Sequence, residues 1–414
     1  MRLTFPEGGM GKERVLAALE QMKADDADWQ GGRVPLFVFR GSDEATEVAQ
    51  AAFNLYFTEN ALGRHRAFPS LDRMEREIVA MALDLFHAPG DATGFVTTGG
   101  TESIIQAVQT CRDCARSKRG DASHRGNIVM AISGHPAFDK AARLMDLEVR
   151  RMPVSDELTA DAGAIEGSID NDTIMIVGSA PCFPYGVFDP ISELAEVARS
   201  RGVWLHVDAC VGGYLAPFVR VNGGRVPDFD FSIDGVSSLS ADLHKFGYAP
   251  KPISTLFYRS GELARFHGFE FSGWPNGRFA TTTIVGTRAG GAIAGAWALF
   301  NYLGRAGYRD IAGQLMDGVA AYRAGIDAID GLRVLGDPEL SIVAFTADGF
   351  DIFEVAELMK EKGWTPGLLQ QPKAIHRMMS MLHVPAMADY LRDLGCAVAA
   401  ARGSSGDAGL RAEY

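Results

Sequence analysis

Short apolar segments rich in β-branched residues alternate with helix-like stretches through the middle of this sequence. The strand-like segments are residues 127–133, 173–179, 203–208, 235–239 and 254–258. Helix-like periodicity covers residues 101–117, 138–146 and 190–200 between several of them. Strands and helices that alternate at this spacing favour parallel pairing, with helices on both faces of one sheet. The sequence therefore predicts an α/β fold built on a mostly parallel central sheet.

The length and the change of pattern along the chain predict one large and one smaller domain. The 414 residues divide into an N-terminal segment (1–58), a large domain (59–295), a small α+β domain (296–395) and a tail (396–414). An Ala- and Gly-rich helix that begins at Gly290 links the two domains, and residues 332–335 and 341–346 are strand candidates in the second. The tail is poor in large apolar residues, so we expect it to be flexible.

The overall charge and the hydropathy pattern narrow the class of protein. A net charge of −12 disfavours binding to nucleic acid or to an anionic membrane surface. The sequence has no run of roughly 20 apolar residues and no secretory signal pattern, so we expect no membrane span and a cytoplasmic location. The five cysteines are irregularly spaced, which favours reduced thiols. Cys111 and Cys114 form a single CxxC pair in a helix, which predicts no metal site.

Two segments carry the strongest chemical signal. The apolar run VWLHVD ends at Asp208, and a second apolar, Ser-rich stretch ends in the pair His244-Lys245. Enzymes that use pyridoxal phosphate need a lysine that holds the aldehyde as a Schiff base, and a carboxylate that keeps the pyridine nitrogen protonated. Lys245 and Asp208 fit these roles if both lie at the mouth of the sheet. The role of Lys245 requires a lowered pKa, which we expect burial near other cations to supply.

Competing explanations stand beside these assignments. A buried carboxylate needs a cationic partner, and an arginine would serve Asp208 as well as a protonated pyridine does. His206 and Asp208 also form an H-x-D pattern of the kind that metal ligands use. Lys251, six residues after Lys245, is either a clamp for an anionic substrate or an ordinary surface lysine.

The segment TTGGTES, residues 97–103, is a candidate phosphate site because it precedes a helix-like stretch. Glycines let the backbone approach an anion closely, and a helix start offers free N–H groups and a favourable dipole. Thr101 adds a hydroxyl donor, although it is also a good helix N-cap. His135 ends another strand-like run, where an imidazole can stack on a pyridine ring and shuttle a proton. A structural hydrogen bond is the alternative role for His135.

Together these segments resemble the sphingosine-1-phosphate lyases, which are fold-type I enzymes dependent on pyridoxal phosphate and related to the group II decarboxylases. The resemblance covers roughly residues 54 to 305. It is carried by the stretches FPSLDRMEREIVAMALDLF, TTGGTESI, HPAFDKAA, APCFPYGVFDPI, HVDACVGG, SLSADLHKFGYAPK and GWPNGRFATTTIVGTRAGGAIAGAW. The stretch HKFGYAPK discriminates best, because the related decarboxylases more often have a tryptophan after the His-Lys pair.

The resemblance implies a role for each matching residue. Lys245 forms the Schiff base, Asp208 binds the pyridine nitrogen and His135 stacks on the ring. The residues implied to contact the cofactor phosphate are Gly100, Thr101 and His244, together with Thr281 or Thr283 from the second subunit of a homodimer with shared active sites. The residues implied on the substrate side are Asn60, His65, Tyr185 and Lys251.

The resemblance also implies a reaction, which is cleavage of the C2–C3 bond of a sphingoid-base 1-phosphate to phosphoethanolamine and a long-chain aldehyde. Three departures fall on the substrate side. Phe39 stands where the family usually has tyrosine, Gly63 stands where its Asn-Pro-Leu-His pattern has histidine, and Pro252 stands where glycine is usual. They leave two alternatives, a pyridoxal-phosphate-dependent amino-acid decarboxylase and a lyase of another β-hydroxy amine. A dimeric protein of this fold without cofactor is a third.

Overall fold

The computed structural model describes residues 3–402 and residue 412. Its α-helices are α1 (Lys12–Met22), α2 (Asp43–Leu55), α3 (Pro69–Leu85), α4 (Gly100–Arg119), α5 (Ala137–Met145), α6 (Ala162–Gly167), α7 (Ile191–Arg201), α8 (Ala216–Val221), α9 (Gly261–Ala264), α10 (Gly290–Asp327), α11 (Ile352–Glu361) and α12 (Met387–Ala401). Its strands are β1 (Thr93–Thr97), β2 (Asn127–Ala131), β3 (Glu148–Met152), β4 (Thr173–Ser179), β5 (Trp204–Asp208), β6 (Val236–Ala241), β7 (Ser254–Tyr258), β8 (Phe269–Trp274), β9 (Gly277–Thr281), β10 (Leu332–Val334), β11 (Ile342–Ala347), β12 (Gly367–Gln370) and β13 (Lys373–Met378).

A seven-stranded sheet forms the centre of the molecule, with the strand order β1-β7-β6-β5-β4-β2-β3. The neighbours from β6 to β3 pair in parallel, whereas β7 runs antiparallel to both β1 and β6. Parallel strands need long crossover connections, which the intervening helices supply. This topology confirms the predicted α/β fold. It also brings the carboxyl ends of β1, β2, β4, β5 and β6 to one edge of the sheet.

Both faces of the central sheet are packed with apolar side chains. On β2, Ile128 and Met130 belong to a buried cluster that includes residues of α4 and α5. Val129, between them, belongs to a second cluster that includes residues of α7. Because successive side chains of a strand point to opposite faces, a strand covered on both sides is a continuous apolar run in the sequence. That is why these strands could be predicted.

Helix α10 connects the central sheet to a second one. It contacts α2 and α3 beside the first sheet, and β10, β11 and α12 beside the second. It is kinked at Gly304, whose φ of +54° suits a residue without a side chain. The second sheet is antiparallel, in the order β10-β11-β13-β12. The predicted boundary between residues 295 and 296 falls inside α10, and the division into domains stays a prediction.

The C-terminal prediction needs a correction. Residues 396–401 were assigned to a flexible tail, but they form the last turns of α12, where Ala397, Val398 and Ala401 are buried. A row of small apolar residues can pack as a helix face even though it lacks large side chains. The rest of the predicted tail, residues 403–411, 413 and 414, lies outside the described residues. The sequence also did not predict β1, β3, β12, β13 or the hairpin of β8 and β9, because none of them is an apolar run rich in β-branched residues.

Three further expectations concern the cysteines, a membrane span and a metal site. Cys111, Cys114, Cys182 and Cys210 are buried free thiols, and Cys396 is an exposed one. Within residues 3–402, no helix is long and apolar enough to span a bilayer. The same range contains no group of three His, Cys, Asp or Glu side chains that could hold a metal ion.

Candidate active site

A cavity of about 540 Å³ opens at the edge where the parallel strands end. Asp208 closes β5, Asp242 and Lys245 follow β6, and His135 follows β2. The opening of α4 forms another wall. The lining residues are Thr98, Gly99, Gly100, Thr101, Glu102, Ile104, Ile105, His135, Ser179, Pro181, Phe183, Asp208, Cys210, Val211, Asp242, His244, Lys245, Lys251, Pro252, Ile284 and Val285. Open α/β sheets bind ligands at this edge.

Asp208 is a buried carboxylate without an ionic partner in the described part of the chain. Its Oδ1 accepts hydrogen bonds from the backbone N–H of Cys210 at 3.1 Å and from the Ser240 hydroxyl at 3.5 Å. No ion pair reaches it from residues 3–402 or 412, so the alternative of a structural pair with arginine does not hold there. A buried carboxylate of this kind requires a cation. A protonated ring nitrogen in the cavity would supply one.

Lys245 lies in the same cavity and is paired with a different carboxylate. Its Nζ is 3.0 Å from Oδ2 of Asp242, three residues earlier in the chain. Burial lowers the pKa of Lys245. The carboxylate of Asp242, the thiol of Cys210 and the carboxylate of Asp208 raise this pKa by a larger amount, so the net shift is upward. The expectation of a lowered pKa was therefore wrong for the chain without cofactor. The nearest charges are anionic, whereas the prediction assumed cations.

Asp242 is a site residue that the sequence did not single out. It is buried, and its Oδ1 accepts a hydrogen bond of 2.5 Å from the Ser254 hydroxyl. Burial raises the pKa of this carboxyl, but Lys245, His244 and the Ser254 hydroxyl lower it more, so the pKa lies below its usual value. The only signal in the sequence was an aspartate three residues before the lysine, at the end of a predicted strand.

The start of α4 is shaped to approach a ligand closely. Gly99 has a φ of +150°, which disfavours any residue with a side chain. A Cβ on Gly100 would stand 2.8 Å from both carboxylate oxygens of Asp242 and 2.9 Å from Sγ of Cys210. The first N–H groups of a helix have no partner within it, so they are free to bind an anion. Thr101, exposed at the same helix end, can add its hydroxyl.

Glu102 holds this helix start in place, and the sequence did not single it out. Its Oε2 accepts hydrogen bonds of 2.6 Å from the backbone N–H and the hydroxyl of Thr98. Its Oε1 accepts another of 2.6 Å from the backbone N–H of Ile284, far away in the sequence. A single buried carboxylate thus joins the turn before α4 to the segment after β9.

Two histidines face the cavity. His135 accepts a hydrogen bond on Nδ1 from the backbone N–H of Ala137, and burial lowers its pKa, so its ring is neutral near pH 7. A neutral ring is suited to stacking on a pyridine. Nδ1 of His244 lies 2.5 Å from the carbonyl of Ile253 and donates to it. Burial also lowers the pKa of His244, although Asp242 opposes the shift.

The predicted substrate-side residues do not all line the cavity. Lys251 lines the cavity, and burial lowers its pKa. Tyr185 does not line it, because its hydroxyl donates to the carbonyl of Gln371 beside the second sheet. His65 is mostly exposed, with its Nδ1 3.2 Å from Asp72.

Asn60 and the two threonines also lie outside this chain's cavity. Asn60 Oδ1 accepts from the N–H groups of Leu62 and Arg288, and its Nδ2 donates to the Thr287 hydroxyl. Thr281 and Thr283 line a separate pocket of about 370 Å³, next to the hairpin of β8 and β9. Their hydroxyls lie 3.3 Å apart.

The three residues that depart from the family pattern lie in different parts of the structure. Phe39 packs edge-on against Phe246, with ring centroids 5.1 Å apart. Gly63 ends the short 3-10 turn Ala61–Gly63. Pro252 lines the cavity beside Lys251.

The residues present fit pyridoxal phosphate. The buried carboxylate of Asp208 has no ionic partner in the described chain, the lysine amine lies in the same cavity, and the glycine-lined helix start can take a phosphate. The fold and the site therefore define a fold-type I enzyme that depends on pyridoxal phosphate. A family model described as the pyridoxal-dependent decarboxylase conserved domain matches residues 58–348.

Comparison with known proteins narrows this class. The chain is 39% identical over 401 residues to the sphingosine-1-phosphate lyase of Oryza sativa subsp. japonica, covering 95% of the chain and 74% of that protein. It is 40% identical to the enzyme of the same name from Arabidopsis thaliana, covering 97% and 74%. A solved structure of sphingosine-1-phosphate lyase from Burkholderia pseudomallei K96243 superposes with a TM-score of 0.93 at 38% identity, covering 97% of this chain and 94% of that one. The chain belongs to the sphingosine-1-phosphate lyase family.

Proposed function

We propose that this chain is an aldehyde-lyase dependent on pyridoxal phosphate, and that it cleaves the C2–C3 bond of a sphingoid-base 1-phosphate. The products are phosphoethanolamine and a long-chain aldehyde. The single observation that carries the proposal is the meeting of Asp208, Lys245 and the α4 start in one cavity, in a chain 39–40% identical to two sphingosine-1-phosphate lyases over nearly its full length.

Different cavity residues would hold different parts of the cofactor. When bound, pyridoxal phosphate supplies an electron sink for the carbon that bears the substrate's amine. Lys245 would bind its aldehyde carbon, Asp208 its ring nitrogen, and His135 the face of its ring. Gly100, Thr101 and His244 would hold its phosphate. Rigid holding by these residues would keep the reacting groups in the orientation that the reaction requires.

Other residues would act on protons and on the substrate. Once Lys245 Nζ is free of the cofactor it can accept a proton, and the Asp242 carboxylate at 3.0 Å stabilises the resulting ammonium. Lys251 lies on the cavity wall, where its ammonium can pair with the substrate's phosphate.

The proposal includes a homodimer with shared sites in the cytoplasm. Asn60, Thr281 and Thr283 lie outside this chain's own cavity, which supports a role for them in the cavity of a second subunit. The β8–β9 hairpin beside the two threonines exposes Phe269, Phe271 and Trp274, and exposed aromatic groups of this kind often mark an interface. The cytoplasmic location is supported by the five free thiols.

A decarboxylase is the second candidate function. The chain is 34% identical to a probable L-tyrosine/L-aspartate decarboxylase of Methanocella arvoryzae, covering 92% of the chain and 96% of that protein. The cofactor residues would serve either reaction. The two reactions differ in which bond of the substrate is broken and in the substrate's anionic group.

A product assay separates the two candidates. Purified enzyme is given a phosphorylated sphingoid base, the same base without phosphate, and aromatic and acidic amino acids. We expect a long-chain aldehyde from the phosphorylated base and much less from the free base. Carbon dioxide from an amino acid, with no aldehyde from the sphingoid phosphate, would establish the decarboxylase instead.

Two lysine variants complete the test. Lys245→Ala should purify colourless and resist reductive trapping of the cofactor by borohydride, because no amine is left to bind the aldehyde. Lys251→Ala should stay yellow but lose most of its preference for the phosphorylated base. A wild-type protein that pyridoxal phosphate does not turn yellow would contradict both candidate functions.

A further inference from the structure

A line of hydrogen bonds runs along two neighbouring strands behind the cavity. Trp204, His206 and Asp208 lie on one face of β5, and Ser238 and Ser240 pair beside them on β6. The Trp204 indole Nε1 is 2.7 Å from Ser238 Oγ, which is 2.7 Å from His206 Nδ1. His206 Nε2 is 3.2 Å from Ser240 Oγ, which is 3.5 Å from Asp208 Oδ1. We call these five residues the strand relay.

The chemistry of its two ends gives the strand relay a direction. An indole N–H can only donate, and an ionised carboxylate can only accept. If every group is satisfied, the Ser238 hydroxyl accepts from Trp204 and donates to His206 Nδ1. His206 Nε2–H then donates to Ser240, whose hydroxyl proton points at Asp208. His206 is thereby required to be neutral and protonated on Nε2.

The neighbours of the strand relay agree with this direction. The Cys210 thiol lies 3.4 Å from Ser240 Oγ and donates a hydrogen bond to it. Because a hydroxyl oxygen has two lone pairs, Ser240 can accept this bond and the bond from His206 at the same time. Ser238, Ser240 and His206 are fully buried, so water does not compete for these bonds. Burial lowers the pKa of His206 to about 4, against the opposing effect of Asp208, which leaves the ring neutral.

We propose that the strand relay positions the proton of the cofactor's ring nitrogen. It directs a hydrogen bond onto Oδ1 of Asp208 and so leaves Oδ2 to face the ring. Hydrogen bonds donated to a carboxylate favour its charged form. With this hydrogen bond on Oδ1, the proton shared between Asp208 and the cofactor would stay on the pyridine nitrogen, and the bound cofactor would supply an electron sink.

The hydrogen bonds of Asp208 support this division of its two oxygens. Both hydrogen bonds that it accepts from the described residues, from Cys210 N–H and from Ser240, go to Oδ1. Bonds in such a chain polarise one another in a buried environment, so a donor as distant as Trp204 contributes to the last link. The inference concerns the bound cofactor alone, so it holds for a lyase and for a decarboxylase alike.

The first test measures the tautomer of His206 in the wild-type holoenzyme. Nitrogen-15 spectra of protein with labelled histidine report which ring nitrogen carries the proton, and His206→Gln identifies the signal. We expect protonation on Nε2 only. A proton on Nδ1, or on both nitrogens near pH 7, would overturn the proposed direction. This measurement is made on the wild-type holoenzyme, so it tests the direction of the strand relay even if Ser240→Ala or His206→Leu fails to fold.

The second test follows the ring nitrogen of bound ¹⁵N-labelled pyridoxal phosphate. Ser240→Ala and His206→Leu each break the strand relay, and we expect the ring-nitrogen shift to move toward that of neutral pyridine. We also expect the dissociation constant for the cofactor to rise about tenfold, as for the loss of a hydrogen bond to a charged group. His206→Gln keeps a donor toward Ser240 and should restore most of the pyridinium signal.

A packing control completes the design. Phe138 contacts His206 edge to face at a centroid distance of 5.7 Å without a hydrogen bond, so Phe138→Leu perturbs the packing and spares the strand relay. We expect its ring-nitrogen signal to match the wild type. If Ser240→Ala and His206→Leu bind the cofactor with an unchanged pyridinium signal, or if Phe138→Leu shifts it equally, the proposal is wrong.

Discussion

Two carboxylates at the ends of neighbouring strands differ in their ionic partners. Asp208 closes β5 without an ionic partner in the described chain, whereas Asp242 follows β6 and lies 3.0 Å from Lys245. In the absence of cofactor the lysine is therefore an ammonium held by Asp242. Only a neutral amine can form a Schiff base, so Lys245 would have to lose this proton before it could hold the cofactor covalently.

Removal of the Asp242 charge should therefore speed the capture of the cofactor. Asp242→Asn takes away the nearest group that raises the pKa of Lys245, so more neutral amine is present at pH 7. We expect covalent capture of pyridoxal phosphate to be about tenfold faster there, and its maximal rate to be reached at lower pH. The measurement is the growth of the yellow absorbance after cofactor is mixed with apoenzyme at several pH values.

The matched control keeps the charge. Ser254→Ala removes one hydrogen bond to Asp242 Oδ1 but leaves the carboxylate in place, so capture should change much less. Slower capture by Asp242→Asn across the whole pH range would show that Asp242 does not restrain the amine.

At the scale of elements, the start of α4 depends on a contact between distant parts of the chain. Glu102 binds the Thr98 turn and the backbone of Ile284, in the segment that follows the β8–β9 hairpin. Both ends of this contact line the cavity. The helix end that is proposed to take the cofactor phosphate is thus held by a segment that the proposed dimer would also use.

Loss of the Glu102 charge should loosen this connection. In Glu102→Gln an amide N–H₂ must face one of the backbone or hydroxyl donors that the carboxylate now accepts. We expect the free energy of unfolding to fall by about 1.5–3 kcal/mol, the range for a hydrogen bond to a charged group, and the affinity for the cofactor to fall as well. Denaturant unfolding and a cofactor titration measure the two effects.

Glu13→Gln is the control, because Glu13 is exposed in the first turn of α1. A substitution at such a surface position should change stability by no more than about 0.5 kcal/mol. If the two variants were equally stable, Glu102 would not be holding the helix start.

At the scale of the whole molecule, the proposed dimer explains why several predicted site residues lie outside this chain's cavity. Thr281 and Thr283 line a separate pocket beside the aromatic hairpin. A closed two-fold assembly places the same surface of each subunit on the other, so one chain's threonines can complete the other chain's site.

Complementation between inactive subunits tests this arrangement. Lys245→Ala subunits are mixed with subunits that carry Thr281→Val and Thr283→Val, after dissociation and reassembly. A heterodimer then has one site with an intact lysine from one subunit and intact threonines from the other. With random pairing, we expect about a quarter of the wild-type activity to return. Recovery near zero, with heterodimers present, would mean that each site is built from one chain.

Particular residues show how far prediction from the sequence could go. Asp208 and Lys245 were recognisable because each follows an apolar run that had to be a buried strand. Asp242 was not, because its importance depends on a 3.0 Å contact that a turn after β6 creates. Tyr185 was assigned to the substrate by resemblance, yet its hydroxyl binds the Gln371 carbonyl beside the second sheet. The small-residue face of Cys396–Ala401 gave no sign that it would pack as a helix.

The sequence alone predicted the parallel sheet, because buried strands appear as short apolar runs. It also predicted the cofactor, from the chemistry of Lys245 and Asp208 and from the resemblance to a known family. Only the tertiary structure decided which polar groups meet. Glu102 with Ile284, Ser240 with Asp208 and Trp204 with Ser238 are pairs brought together by strand register and crossover connections. Their distances depend on how remote segments pack, and no local pattern in the chain carries that information.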